Sequence, residues 1–176
     1  MEIYLVRHTT PNIEKGICYG QSDIGITNSF ASEVEKIHQK IPVTEISRVY
    51  SSPLQRCKLL AKTFNIPYTT DPRLKEMDFG DWELQPWDAI PASQLDPWMN
   101  DFVTTQVPNG ESYIMLQKRI LDFYNSIHID SEEKILVVTH AGPMRALLAH
   151  TQQIELKDSF TIKIEYGDVI VMPVIV

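Results

Sequence analysis

Short apolar runs alternate along the chain with stretches whose apolar residues recur every three or four positions. Residues 3–6 and 135–139 are nearly continuous apolar runs, which is typical of strands buried on both faces. Residues 48–51 are predicted to form another strand. Residues 66–69 are predicted to form a short edge strand, because Pro67 cannot donate a backbone hydrogen bond to a neighbouring strand.

Helical patterns fill the intervals between these strands. Residues 27–41 carry apolar side chains on one face, and Pro42 ends the pattern. Ser52-Pro53 is typical of a helix start, residues 111–127 form a longer amphipathic pattern, and a further helix is predicted over residues 142–151. This alternation predicts an α/β fold, a three-layer α/β/α sandwich with a mostly parallel central sheet and a small helical cap.

The end of the chain contains two more strand candidates, residues 160–164 and 169–174, with Gly167-Asp168 between them as a turn. They could form a hairpin, so at least one strand is expected to be antiparallel. The alternating apolar residues of this tail could end at a sheet edge or in a homodimer contact, and the sequence leaves both alternatives open.

The middle of the chain differs in composition. Residues 71–108 hold all three tryptophans and five prolines, which predicts short helices and turns instead of a second domain. We therefore expect one domain over residues 1–176, with a cap inserted at roughly residues 77–110. Some of the tryptophans could line a substrate pocket, since an aromatic wall suits a flat heterocycle.

Composition and charge exclude several classes of function. The 176 residues have a formal net charge of −7, which argues against nucleic acid or an anionic membrane as the main partner. The two cysteines, Cys18 and Cys57, lack the paired spacing of a zinc site. No apolar stretch reaches the roughly 20 residues that a membrane span needs, and the N-terminus is unlike a signal peptide. We expect a cytoplasmic protein.

Basic and nucleophilic residues follow three of the predicted strands. In mostly parallel sheets, ligands bind beyond the carboxyl ends of the strands. Arg7 and His8 follow the first strand, Arg56 lies one helical turn beyond the second, and His140 follows the strand at residues 135–139. These four side chains are therefore predicted to converge at one edge of the sheet.

This set of side chains suits a phosphate ester. Arg7 and Arg56 can each donate paired hydrogen bonds to phosphate oxygens, and the arginine charges favour a neutral, nucleophilic histidine. Such a site needs no metal or other cofactor, because phosphoryl transfer depends mainly on positioning and charge stabilisation. Glu76 is the best candidate for the acid that protonates the leaving group, although Asp78 and Glu83 remain alternatives.

Four segments resemble the signatures of the histidine phosphatase (phosphoglycerate mutase-like) superfamily. They are Leu5-Val6-Arg7-His8-Thr9, Ser52-Pro53-Leu54-Gln55-Arg56-Cys57, Glu76-Met77-Asp78-Phe79-Gly80-Asp81-Trp82-Glu83 and Val138-Thr139-His140-Ala141-Gly142. The resemblance implies that His8 is phosphorylated, that Arg7, Arg56 and His140 hold the phosphate, and that Glu76 is the acid. The chain departs from the family at Thr9, where glycine is usual, but no catalytic side chain is lost.

A narrower resemblance is to the α-ribazole phosphatases of cobalamin synthesis. It is carried by residues 7–11, 16–23 and 108–112, and Gln21 and Ser22 of the second segment are predicted to bind substrate. The resemblance implies hydrolysis of a small-molecule phosphate monoester, α-ribazole 5′-phosphate. The alternatives are a phosphoglycerate mutase or broad-specificity sugar-phosphate phosphatase, and a non-catalytic module that binds phosphorylated ligands, which Thr9 alone suggests.

Overall fold

Five strands form the central sheet of this computed structural model, which describes residues 2–127 and 133–173. They are β1 (Glu2–Arg7), β2 (Ile46–Ser51), β3 (Tyr68–Thr70), β4 (Lys134–Thr139) and β5 (Val169–Pro173). Their order across the sheet is β3-β2-β4-β1-β5. The first four strands are parallel, and β5 pairs antiparallel with β1. Val174, the last residue of the predicted final strand, lies outside the described residues.

Helices cover both faces of this sheet: α1 (Phe30–His38), α2 (Gln55–Lys62), α4 (Tyr113–Ser126) and α5 (Ala141–Thr151), with α3 (Ala92–Asn100) in the middle of the chain. Ile3 and Leu5 of β1 pack with α4 and α5, whereas Tyr4 and Val6 pack with α1 and α2. The strand is therefore buried on both faces, and the predicted three-layer α/β/α sandwich is confirmed.

The segment between β3 and α4 contains α3 and three short 3-10 turns, Pro72–Leu74, Gly80–Trp82 and Trp87–Ala89. Its three tryptophans pack against one another, with the rings of Trp87 and Trp98 stacked at a centroid distance of 5.9 Å. Two further 3-10 turns lie at Val43–Glu45 and Leu156–Thr161. Of the helices in the described parts of the chain, none is long and apolar enough to cross a membrane.

Two predicted helix starts and one predicted strand are wrong. Helix α1 begins at Phe30 and ends at His38, so it is shorter than the predicted helix over residues 27–41. Helix α2 begins at Gln55 with Leu54 at its N-cap, and the Ser52 hydroxyl lies 2.8 Å from the His140 ring and accepts from the Leu54 N–H at 3.4 Å. The predicted strand over residues 160–164 is absent from the described structure: Leu156–Thr161 is a 3-10 turn, and β5 already occupies the free edge of β1.

Candidate active site

The parallel pairing of β1 with β4 brings two histidines together. Arg7 lies opposite Thr139 in the register, so His8 and His140, the next residue of each strand, are neighbours at the carboxyl edge of the sheet. Their ring centroids are 5.0 Å apart, and both side chains are buried. The register of the two central strands therefore sets the spacing of the two histidines.

One nitrogen of the His8 ring is oriented by the backbone. Nδ1 lies 2.7 Å from the carbonyl oxygen of Thr9, and a carbonyl can only accept, so Nδ1 carries the hydrogen and Nε2 has the free lone pair. Burial lowers the pKa of His8 well below 6.5, and the charges of Arg56 and Arg7 lower it further, against the opposing effect of the Thr9 hydrogen bond. The ring is therefore neutral at neutral pH, with a free lone pair on Nε2.

Arg56 lies in the first turn of α2 with its guanidinium fully buried. Nη1 donates to the carbonyl oxygen of Ser22 at 2.8 Å, and Nη2 donates to that of Gly20 at 2.6 Å. Within the described residues, Nε has no hydrogen-bond partner. A guanidinium has five N–H groups. These contacts therefore leave N–H groups that can donate hydrogen bonds to an anion beside His8.

Arg7 is held by the loop before β5. Its Nη1 donates to the carbonyl oxygen of Ile164 at 2.8 Å, and its guanidinium lies 3.8 Å from the ring centre of Tyr166, a cation–π contact. The Tyr166 hydroxyl lies 2.6 Å from that of Tyr19, whose ring centre is 5.7 Å from the Arg56 guanidinium. Two hydrogen-bonded tyrosines thus lie against the two arginines.

His140 occupies the N-cap position of α5. Its Nε2 lies 2.8 Å from the Ser52 hydroxyl and 3.4 Å from the Cys57 sulfur. Burial lowers the pKa of His140 well below 6.5, and the neighbouring His8 ring and the Arg56 guanidinium act in the same direction. Two neutral imidazoles beside two guanidinium groups leave a net positive site, which suits a phosphate dianion.

The three candidate acids have different surroundings. Glu76 lines the same cavity as His8, and its carboxylate accepts hydrogen bonds from the backbone N–H groups of Met77 and Gly142. Asp78 accepts from the backbone of Gly80. Glu83 accepts from three successive backbone N–H groups, those of residues 20–22. Of these carboxylates, Glu76 is the one that faces the cavity among the residues described.

The side chains of Gln21 and Ser22 are hydrogen-bonded to other residues of the chain and, in the described structure, do not face the cavity. The Gln21 side chain donates to the carbonyl oxygen of Glu76 at 3.1 Å, and the Ser22 hydroxyl donates to the Glu83 carboxylate. Within residues 2–127 and 133–173, neither of them lines the cavity beside His8. Direct contact of Gln21 and Ser22 with substrate stays a prediction, and their observed contacts instead hold the loop in place.

The cavity beside His8 has a volume of about 310 Å³. Its wall is largely aromatic and comprises Tyr19, Phe79, Trp87, Trp98, Phe102, Tyr113 and Phe160. Arg145, one turn into α5, is a further cation in this wall, with its Nε donating to the carbonyl of Ile162. Sequence reasoning missed Arg145, although its place one turn after His140 was a usable signal.

Thr9, the departure from the usual glycine, is completely buried. Its hydroxyl has no hydrogen-bond partner in the described parts of the chain, while its carbonyl oxygen orients His8. The threonine side chain therefore leaves the hydrogen bond that orients His8 in place.

Comparison with known proteins identifies the family of the chain. The profile of the histidine phosphatase superfamily (branch 1) matches residues 3–174. The chain is 25% identical over 177 residues to the adenosylcobalamin/alpha-ribazole phosphatase of Salmonella typhimurium, covering 95% of this chain and 87% of that protein. It is 29% identical over 160 residues to a Yersinia pestis protein named "Probable phosphoglycerate mutase GpmB", covering 85% and 74%.

The fold is also that of a solved member. The crystal structure of the alpha-ribazole phosphatase from Shigella flexneri superposes with a TM-score of 0.87 at 23% identity, covering 99% of this chain and 91% of that one. Phosphatases and mutases both transfer phosphoryl groups, which is the chemistry that a buried neutral histidine between two arginines can perform. The chain therefore belongs to the histidine phosphatase superfamily, branch 1, and is a phosphoryl-transfer enzyme.

Proposed function

We propose that the protein is a phosphomonoesterase that acts on α-ribazole 5′-phosphate through a phosphohistidine. Nε2 of His8 attacks phosphorus in line with the ester oxygen, the P–O bond to the ribose breaks, and Glu76 gives its proton to the departing alkoxide. Arg7, Arg56 and His140 hold the phosphoryl oxygens during the transfer. Water then attacks the phosphohistidine while Glu76 takes a proton, the P–N bond breaks, and inorganic phosphate is released.

The observation that carries the substrate assignment is the aromatic wall directly beside His8. The stacked rings of Trp87 and Trp98 face a cavity of about 310 Å³ together with Phe79 and Phe160. A flat heterocycle attached to ribose has apolar faces that such a wall can cover, whereas a phosphoglycerate offers none. The name of the Salmonella relative, which covers nearly the whole chain, supports the same substrate.

A phosphoglycerate mutase is the second candidate. Arg145 lies in the cavity wall and could bind a substrate carboxylate, and the Yersinia relative carries a mutase name. A mutase must return the phosphoryl group to a second hydroxyl of the same substrate. Conversion of 3-phosphoglycerate to the 2-isomer would therefore favour it, and release of inorganic phosphate alone would exclude it.

A non-catalytic binding module is the third candidate, and only Thr9 suggests it. The carbonyl oxygen of Thr9 accepts from Nδ1 of His8, which leaves the Nε2 lone pair free, and the Thr9 side chain is buried. We therefore expect turnover. Stoichiometric binding of a phosphate ester with no turnover on fresh substrate would favour the module instead.

The experiment is an assay against α-ribazole 5′-phosphate, 3-phosphoglycerate and p-nitrophenyl phosphate in EDTA. We expect kcat/KM for the ribazole ester to exceed the others by at least about tenfold, and His8→Ala to lose turnover with all three. His150→Ala, at an exposed histidine near the end of α5, is the matched control. Weak hydrolysis without preference, still lost in His8→Ala, would retain the His8 mechanism and remove the ribazole assignment.

We also propose a cytoplasmic location for this activity. Both cysteines, Cys18 and Cys57, are buried free thiols, as is usual in a reducing compartment. Fractionation of the native host with a cytoplasmic marker enzyme tests this proposal, and recovery of the protein outside the cytoplasmic fraction would contradict it.

A further inference from the structure

Glu83 is tied to an unusual number of hydrogen-bond donors for a half-buried carboxylate. It accepts from the backbone N–H groups of Gly20, Gln21 and Ser22 at 2.8 to 3.1 Å, and also from the Ser22 hydroxyl. A fifth contact comes from the backbone N–H of Phe79 at 3.2 Å. Burial alone would raise the pKa of Glu83, but these hydrogen bonds outweigh it and lower that pKa, so the carboxylate stays charged.

The opposite side of the same loop holds Arg56. Its two terminal nitrogens donate to the carbonyl oxygens of Gly20 and Ser22. The Gly20 carbonyl and the Gln21 N–H belong to one peptide group. That single group therefore accepts from Arg56 at 2.6 Å and donates to Glu83 at 2.8 Å. Hydrogen bonds in such a chain polarise one another, so the anion makes the carbonyl a stronger acceptor.

Arg56 has no carboxylate within ion-pair distance in the described parts of the chain. A buried guanidinium without a compensating charge is costly. The loop carbonyls compensate part of the charge while occupying only two of the five N–H groups. A direct ion pair would occupy the donors that a phosphate needs, whereas compensation through a peptide leaves them available.

The loop has little freedom to move away from this position. A side chain at Gly20 would place its Cβ 1.8 Å from the carbonyl oxygen of Met77, so the loop passes directly over that segment. The carboxylate of Asp23, the residue after Ser22, accepts from the backbone N–H of Gln55, which directly precedes Arg56. The loop is thus clamped between Glu83 and the start of α2.

We propose that Glu83 is a positioning residue that sets the phosphate affinity of Arg56 through the Gly20–Gln21 peptide. This inference rests on the proposed role of Arg56 in binding the substrate phosphate. It assigns to Glu83 a task different from that of general acid. The carboxylate never touches the phosphate, and its effect depends on Arg56 being present.

The test is a double-mutant cycle on phosphate binding, with inorganic phosphate titrated into the whole protein by calorimetry. Glu83→Gln keeps the size of the side chain but removes its charge and replaces one acceptor with a donor. We expect the Kd for phosphate to rise roughly tenfold, as for loss of a hydrogen bond to a charged group. In the Arg56→Ala background, the same substitution should change the Kd by less than about twofold.

Asp81→Asn is the matched control, because Asp81 is exposed and its carboxylate contacts only the Asn109 side chain among the described residues. It should leave phosphate affinity unchanged. If Glu83→Gln does not fold, Glu83→Asp replaces it, because aspartate keeps the charge on a side chain that is one methylene shorter. Its effect on the Kd for phosphate should likewise disappear in the Arg56→Ala background.

Equal losses from Glu83→Gln in both backgrounds would overturn the inference, and so would an unchanged Kd. These results differ from a failure of the proposed function. If Arg56→Ala alone left phosphate affinity intact, the phosphate site itself would be wrongly assigned. Because the probe is inorganic phosphate, the cycle does not depend on which ester is the natural substrate.

Discussion

The carboxylate of Glu76 and the backbone of Gly142 are in direct contact, with Oε2 of Glu76 accepting the Gly142 N–H at 3.2 Å. Gly142 lies in the first turn of α5, two residues after His140. Because α5 starts at the carboxyl end of β4, this bond fixes the carboxylate beside the two histidines. The position of the proposed acid therefore depends on the start of a helix that is far from it in sequence.

Gly142→Ala should displace that carboxylate. A Cβ at this position would lie 2.1 Å from Oε1 of Glu76, so the acid must move. We expect kcat for the ribazole ester to fall roughly tenfold to a hundredfold, since a misplacement of about 1 Å costs that much. Gly25→Ala, where a Cβ meets nothing within 4 Å, is the control for steady-state kinetics. Unchanged kcat in Gly142→Ala would show that the position of Glu76 does not matter.

Glu76→Gln should lower turnover most for substrates whose leaving group must be protonated. An alkoxide leaving group needs one, so turnover of the ribazole ester should fall about 10²- to 10⁴-fold. The p-nitrophenolate leaving group does not, so turnover of p-nitrophenyl phosphate should fall much less. Asp78→Asn, whose carboxylate accepts from the Gly80 backbone, should show no such dependence. An equal loss with both substrates would argue against Glu76 as the acid.

Stability should decrease as the pH falls below 6.5. The pKa values of His8 and His140 are lowered well below 6.5 in the folded protein, mainly by burial, whereas in the unfolded chain both return to that ordinary value. Below pH 6.5 the unfolded chain therefore binds protons that the folded protein does not. The free energy of unfolding should fall by up to about 1.4 kcal/mol per pH unit for each histidine.

Urea unfolding at pH 7.5 and 5.5 measures this dependence. His140→Asn should reduce the difference between the two pH values, and His150→Asn, at an exposed position, should leave it unchanged. A wild-type stability that is the same at both pH values would contradict the burial of neutral rings. Since His8 stays neutral below its ordinary pKa, turnover should persist at pH 5.5 in the folded enzyme.

Trp98→Ala should weaken selection for flat substrates. Trp98 stacks on Trp87 and lines the cavity beside His8. We expect KM for the ribazole ester to rise several-fold, corresponding to an aromatic contact of about 1 kcal/mol, with little change in KM for glycerol phosphate. Met99→Ala, at the exposed neighbouring residue, controls for effects on α3. Equal changes in KM for both substrates would show that the aromatic wall does not select the substrate.

Local patterns of apolar residues predicted much of the architecture. The burial of β1 on both faces follows from the continuous apolar run of residues 3–6, and α4 follows from the helical spacing of its apolar residues. The same reasoning produced the wrong strand at residues 160–164. Its apolar residues do alternate, but Phe160 is exposed and packs its ring edge-on against Phe102. Periodicity cannot reveal that β5 already fills the only free edge of β1.

By itself, the sequence determined which chemical groups stand at the strand ends, because Arg7, His8 and His140 directly follow local strand patterns. Only the tertiary structure decided where the three candidate acids, Glu76, Asp78 and Glu83, lie relative to the cavity. The Glu76 carboxylate is held at the cavity by the backbone N–H of Gly142. The Glu83 carboxylate accepts from the backbone of residues 20–22, which lie about sixty positions away in the chain. Such contacts depend on the strand register and on loop geometry. A local pattern of apolar and polar residues contains neither, so the different positions of these carboxylates could come only from the fold.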